Sequence, residues 1–168
     1  MTTSLIKMWR PFGLLVLGIV LSTSCKKDVI TQYQIRDVAL YSSASEKKNL
    51  KSDEQFISIM YTDVFEKSIT NEQLLSMNKA YTSIGDKSLI IDILIKSVLA
   101  DQSAKIPTMV EMRTDPSTFV QETYKRFLVR LPTKQEEWFL TNQIANNNKL
   151  EPIDIYYAVL TSDEYRYY

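Results

Sequence analysis

Histidine does not occur in this chain of 168 residues, cysteine occurs once and glycine three times. Each shortage excludes a chemistry. Without histidine, neither a Ser-His-Asp nor a Cys-His catalytic set can be assembled, and no histidine-ligated zinc or haem can be held. The one thiol, Cys25, has no second cysteine in the chain for a disulfide. Gly13 and Gly18 fall in an apolar N-terminal run, so Gly85 alone serves the rest of the chain, which rules out a glycine loop that cradles phosphate. Charge is just as unspecific. Twenty Lys and Arg balance 20 Asp and Glu, without the basic excess that nucleic acid demands. Carboxylates, tyrosine and lysine remain for catalysis. The adjacent pairs Asp53-Glu54, Glu136-Glu137 and Asp163-Glu164 stand at expected helix starts or surfaces, where carboxylates cap or face water. The composition therefore predicts a non-catalytic protein with no metal and no bound cofactor.

What is present begins at the N-terminus. Lys7 and Arg10 supply positive charge, and Phe12 to Leu21 are then apolar throughout. Roughly 20 apolar residues are needed to span a bilayer, so this shorter run reads as the hydrophobic region of a cleaved export signal. Ser22, Thr23 and Ser24 lead into Cys25. This segment resembles the lipobox of bacterial lipoproteins, with Ser22 where the family usually has Leu and Leu21 one place further back. The resemblance implies cleavage after residue 24, with Cys25 carrying diacylglyceryl and N-acyl lipid. Each buried methylene of such chains contributes about 0.8 kcal/mol, and several chains hold a protein firmly on a membrane. Lys26 follows the cysteine where an inner-membrane retention signal would have Asp, which implies the outer membrane. Lys26, Lys27 and Asp28 also resemble the start of Bacteroidota lipoproteins, some of which face outward; periplasmic and surface faces both stay open.

The rest of the chain is expected to be all-α. It is poor in glycine and rich in Leu, Ile, Lys, Glu and Gln, which favour helix. Residues 25–52 read as a tether, 53–103 as one helical unit, 104–115 as a linker and 116–168 as a second unit. In the first, Phe56, Ile57, Met60, Tyr61, Val64 and Phe65 recur at helical steps; in the second, Phe119, Val120, Tyr124, Phe127, Leu128 and Leu131 do so. A shift of 63 places superposes Phe56 on Phe119, Tyr61 on Tyr124 and Thr70 on Thr133. Both threonines open capping boxes, closed by Gln73 and Glu136. One deletion later, Ile91-Asp92-Ile93 meets Ile153-Asp154-Ile155. Three helices per unit follow: 53–67, 71–84 and 87–102, then 116–131, 134–147 and 152–165, with Pro116 and Pro152 at first turns. Gly85 and Asn146 to Asn148 suit left-handed turns between second and third helices. Internal duplication is the expectation; spacing leaves open whether the units share one core.

The motifs YKRFLVRLPTKQEEW and LTSDEYRYY of the second unit carry Tyr124, Arg130, Pro132, Trp138 and Glu164. They resemble small helical domains related to phycobilisome linkers and the C-terminal helical regions of planctomycete-type surface proteins. The resemblance implies a helical module and no particular activity; the CxxCH haem box of some such proteins is absent here. Arg130 is expected to tie the first helix to Glu136 or Glu164, because its planar guanidinium makes bidentate bonds that Lys cannot copy. Trp138 and Phe139 are expected in the core. Tyr156, Tyr157, Tyr165, Tyr167 and Tyr168 crowd the final residues, either covering that core or offering rings to a partner. Function is thus expected to be that of a lipid-anchored envelope protein binding another envelope protein or supporting an assembly. A glycan-binding accessory lipoprotein using the tyrosine-rich end is the alternative.

Overall fold

The computed structural model describes residues 47–168. Cys25, the signal segment 1–24 and the tether up to residue 46 lie outside the described residues. Within 47–168 the protein is all-α: α1 (Asp53–Phe65), α2 (Asn71–Ser83), α3 (Lys87–Leu99), α4 (Met109–Thr114), α5 (Pro116–Thr123), α6 (Lys134–Asn146) and α7 (Pro152–Leu160). A π-helical turn, Tyr124–Leu128, continues α5, and a 3₁₀ turn, Glu164–Arg166, follows α7.

Local chemistry sets the helix starts. Ser52, Thr70, Thr108 and Thr133 each accept a hydrogen bond from the backbone N–H three residues on, while Gln55, Gln73, Glu111 and Glu136 reach back to the cap's own N–H. Each such box satisfies two donors that a helix start leaves orphaned. Asp115 caps α5 through Thr118 N–H, with Pro116 in the first turn. Helix ends diverge more from expectation. Among the described residues the left-handed ones are Glu66 (φ 55°) and Val129 (φ 53°), and neither Gly85 nor any of Asn146 to Asn148 is one of them. These two sit 63 apart, each closing the first long helical stretch of its half. Backbone direction there is forced by the packing on either side, since neither residue favours it locally.

The segment expected as a linker contains α4. Its box, Thr108 with Glu111, is a helix start in the sequence, and Met112 is fully buried beneath it. Arg113, also on α4, donates to the carbonyls of Ile144 (2.6 Å), Asn147 (2.9 Å) and Leu150 (3.3 Å), satisfying the open C-terminal end of α6.

One continuous core joins both halves. It runs from Phe56, Met60 and Val64 of α1 through Leu94 and Ile95 of α3 to Val120, Phe127, Ile155 and Leu160. α1 packs on α2 and α3, α5 packs on α4 and α6, and α3 meets α7 across the seam. Tyr165 from the 3₁₀ turn is completely buried there, its ring edge-on to Phe56 at 6.0 Å and to Phe127 at 6.3 Å. Such edge-to-face pairs add to the large burial of each ring. Arg126 completes the seam. It donates to the carbonyls of Asp63, Val64 and Lys105, closing the C-terminal end of α1 from the other half of the molecule.

The chain enters this domain on a short extended segment. Asn49 and Tyr168 exchange two backbone hydrogen bonds (3.1 and 2.9 Å), and Lys51 N–H donates to the Arg166 carbonyl at 2.9 Å. Leu50 thereby pairs antiparallel with Tyr167. No helix among the described residues is long and apolar enough to cross a membrane.

Candidate functional site

Arg130 forms the most heavily bonded polar centre. Its backbone follows left-handed Val129, which turns the chain so that the guanidinium points inward over the Tyr124 ring, 4.9 Å from the centroid. Nε and Nη2 donate to the two oxygens of Glu164 (2.7 and 2.8 Å), and Nη1 and Nη2 to those of Glu136 (2.9 and 2.7 Å). Nη1 also donates to the Leu131 carbonyl at 3.1 Å. Pro132, next in line, favours an extended backbone at Leu131 and so carries the chain toward the Thr133 cap. Lys47 reaches Glu164 at 3.0 Å. Both expected carboxylates are therefore gripped at once, through two bidentate forks. Bonds from Arg130 bring the Glu136 carboxyl down to about 2. Burial pushes Glu164 up, yet bonds from Arg130 and Lys47 outweigh it and hold the group below the usual range. Burial lifts the Tyr124 phenol to about 12. This centre is saturated with internal bonds and acts as a clamp between the α5–α6 connection and the 3₁₀ turn.

A second polar cluster lies at the seam. Tyr165 O–H donates to Asp63 Oδ2 at 2.8 Å, and Lys51 donates to the Tyr165 carbonyl with its ammonium 4.0 Å from the Tyr165 ring centroid. Burial raises the Asp63 carboxyl to about 7 and lowers the Lys51 ammonium to about 8. Tyr165 is pushed well above its ordinary range, chiefly by burial. A carboxyl near 7 suits general acid–base work only where substrate can reach it. Asp63 lines none of the surface grooves beside Trp138, Phe139, Tyr157 and Arg126.

The five tyrosines divide. Tyr165 and Tyr156 are core residues, the latter stacked on Phe119 at 6.2 Å and edge-on to Phe127 at 4.7 Å. As partner contacts these two are corrected: their rings fill the space between α1, α5 and α7. Tyr157 is partly buried and donates to Asp92 Oδ1 at 2.5 Å, linking α7 to α3. Tyr167 and Tyr168 are 39% and 43% exposed. Tyr157 lines a groove of about 500 Å³ with Ser88, Asp92, Asp163 and Arg166.

Trp138 and Phe139 also depart from expectation. They are 66% and 53% exposed on α6, so neither belongs to the core. α6 buries Ile144 and turns Glu137, Leu140 and Thr141 inward, a stripe at three- and four-residue steps that leaves position 138 outside. Trp138 lines a shallow groove of about 680 Å³ against the start of α5, with Asp115, Lys134, Glu137, Thr141 and Asn142. Phe139 faces a different groove of about 300 Å³, toward Ile155 and Val159 of α7. A fourth groove, about 590 Å³, runs past Lys105, Glu111, Glu122 and Arg126. Among the described residues no cluster of His, Cys, Asp and Glu is placed to hold a metal ion, and none of these centres forms a recognisable catalytic constellation.

No family model, curated protein or solved structure matches the chain.

Proposed function

We propose that this is a lipid-anchored protein of the bacterial cell envelope, its helical domain a non-catalytic interaction or scaffold module at the outer membrane. The observation that carries this reading is the ordered run of Lys7 and Arg10, the apolar stretch, Ser22-Thr23-Ser24 and the sole cysteine, Cys25. Supporting it, the chain arriving from that cysteine enters the domain paired to the last residues through Asn49 and Lys51. A pull on the anchor is thereby passed to the clamped 3₁₀ turn rather than to a free helix end. The bonded state of Arg130, Glu136 and Glu164 favours a rigid module over a reacting site. A protein partner bound through the tyrosine-rich end has Tyr157, Tyr167 and Tyr168 to engage, and the glycan alternative at that end is reduced to the same three rings.

The test is Cys25→Ser in cells fed a labelled fatty acid. Loss of label and of membrane fractionation is the expected result. Unchanged label and fractionation would end the anchoring argument. Crosslinking of intact cells should then capture a partner with the wild-type protein and lose it with the Ser variant.

A further inference from the structure

Four arginines stand among the described residues, and three of them are fully engaged. Arg113 and Arg126 each donate to three carbonyls, and Arg130 is forked between two carboxylates. Arg166 has neither. It makes no ion pair among the described residues, and its Nε is closed off from water without an acceptor. Its charge reaches the Lys51 ammonium and the Tyr81 phenol, neither of which neutralises it. A buried N–H left without an acceptor is rare and costs free energy, so it calls for an explanation.

The guanidinium is nonetheless held in place. It lies over the Phe56 ring, 4.7 Å from the centroid, a cation–π contact that restrains it before any ligand arrives. From there it lines the groove of about 500 Å³ between α3 and the 3₁₀ turn, with Ser88, Asp92, Tyr157 and Asp163 on the other walls. Asp92 is already committed, since Oδ1 accepts from Tyr157 at 2.5 Å and Oδ2 from Lys96 at 2.8 Å. Asp163 is exposed and forms no ion pair among the described residues.

An unpaired guanidinium takes carboxylate or phosphate through its planar fork. The two aspartates on the walls decide between these. Fixed negative charge opposes a dianionic phosphate more than a carboxylate, which brings a single charge. The surroundings favour a protein as the source of that carboxylate. Tyr157 lines the same groove, and Tyr167, 39% exposed, directly follows Arg166. Arginine with tyrosine is the composition of interface hot spots.

We propose that the groove between α3 and the 3₁₀ turn receives an acidic side chain, Asp or Glu, of a partner protein, with Arg166 as its anchor and Tyr157 and Tyr167 as neighbouring contacts. A carboxylate there draws the guanidinium toward the groove and supplies the acceptor it lacks. This rests on the reading of the tyrosine-rich end as a protein-binding face and adds the chemistry that the face selects.

The test pans the full chain, in detergent, against a random library of twelve-residue peptides, with the Arg166→Gln protein as counter-selection. Enriched peptides should share an Asp or Glu at one position, and labelled synthetic copies give affinities by fluorescence anisotropy. Replacing that acid by its amide, or Arg166 by Gln, should weaken binding about tenfold or more, the scale of a lost charge-assisted hydrogen bond. Arg166→Lys should restore only part of the loss, because an ammonium has no fork. Ser88→Glu works from the facing wall at an exposed first-turn position where an acid suits the helix, so it keeps the test open should Arg166→Gln fold poorly. It should weaken binding several-fold and melt as the wild type does. No enrichment, or enriched peptides without a shared acid, overturns the proposal. So does displacement of the peptide by inorganic phosphate or by phosphatidylglycerol vesicles as readily as by unlabelled peptide. A photo-crosslinker at position 167 on intact cells separates this from the broader reading. A protein captured by the wild type and lost with Arg166→Gln is expected. Equal capture by both ends the recognition of an acid and leaves a protein-binding face standing, whereas capture of no protein ends both.

Discussion

At a spacing of 63 residues the two halves of the domain solve the same turn with different chemistry. Both first stretches end in a left-handed residue, Glu66 and Val129, and both second helices open with a threonine box, Thr70 and Thr133. In the first half the residue after the turn is Lys67, which is exposed, and the box is closed by neutral Gln73, whose amide donates to the Tyr61 hydroxyl at 3.0 Å. In the second half the corresponding residues are Arg130 and Glu136, and they interlock. The difference teaches where the domain is fastened. The first half is held by apolar burial of α1 and capped from outside by Arg126, whereas the second is cross-linked by charge to the 3₁₀ turn and, through Lys47, to the entering chain. Even the surface follows this pairing: Leu75 and Trp138 occupy corresponding exposed places on α2 and α6.

The contrast is broken most directly at the paired basic residues. Arg130→Ala should destabilise the domain by about 3 kcal/mol in urea unfolding, because it strands two partly buried carboxylates. Lys67→Ala should stay within about 0.5 kcal/mol, as exposed substitutions do. Equal losses would show that the clamp adds nothing beyond its mirror position.

The seam provides the next effect. Asp63 and Arg126 are themselves 63 apart, and they meet where the halves join. With the Asp63 carboxyl raised to about 7, the folded state binds a proton more tightly than the unfolded chain does. Its contribution is fully present below the unfolded value near 4 and is lost as pH rises through 7. Glu136 and Glu164 act in the opposite sense, stabilising above the ordinary glutamate range and failing in acid. Lys51, lowered to about 8, becomes less costly to bury only above that pH. From pH 5 to 7.5 Asp63→Asn should therefore gain on the wild type by about 2 kcal/mol, after discounting the full shift for its partial exposure. Melting curves of the pair across that range give the difference; a constant offset would refute a proton held at the seam.

Smallest and most symmetrical are the caps. Thr70→Ala and Thr133→Ala should each cost about 1 kcal/mol. Thr133→Ala costing much less would mean that Arg130 alone positions Glu136.

The parts of this architecture that are legible in the sequence are those written locally. All six expected helices exist with starts at or next to their caps, since a Thr box or a proline at a first turn acts on adjacent residues. The expected ends at Leu131 and Tyr165 run too far, because the π turn and the break after Leu160 answer to tertiary packing of Phe127 and Tyr165. The helix Met109–Thr114 carries a visible box but is too short for an apolar stripe to announce it. The Arg130 clamp is legible because its partners lie on helix starts. Trp138 misleads for a simple reason: composition favours burying tryptophan, and only its place one residue past the Glu137–Thr141–Ile144 stripe sets it outside.

We propose above all that this helical module is held on a membrane through Cys25. Intact mass spectrometry of the protein extracted from cell membranes tests it most directly. The expected product begins at Cys25 and is heavier than residues 25–168 by a diacylglyceryl group and an N-acyl chain. A chain that retains residues 1–24, or that begins elsewhere with an unmodified Cys25 thiol, would contradict it.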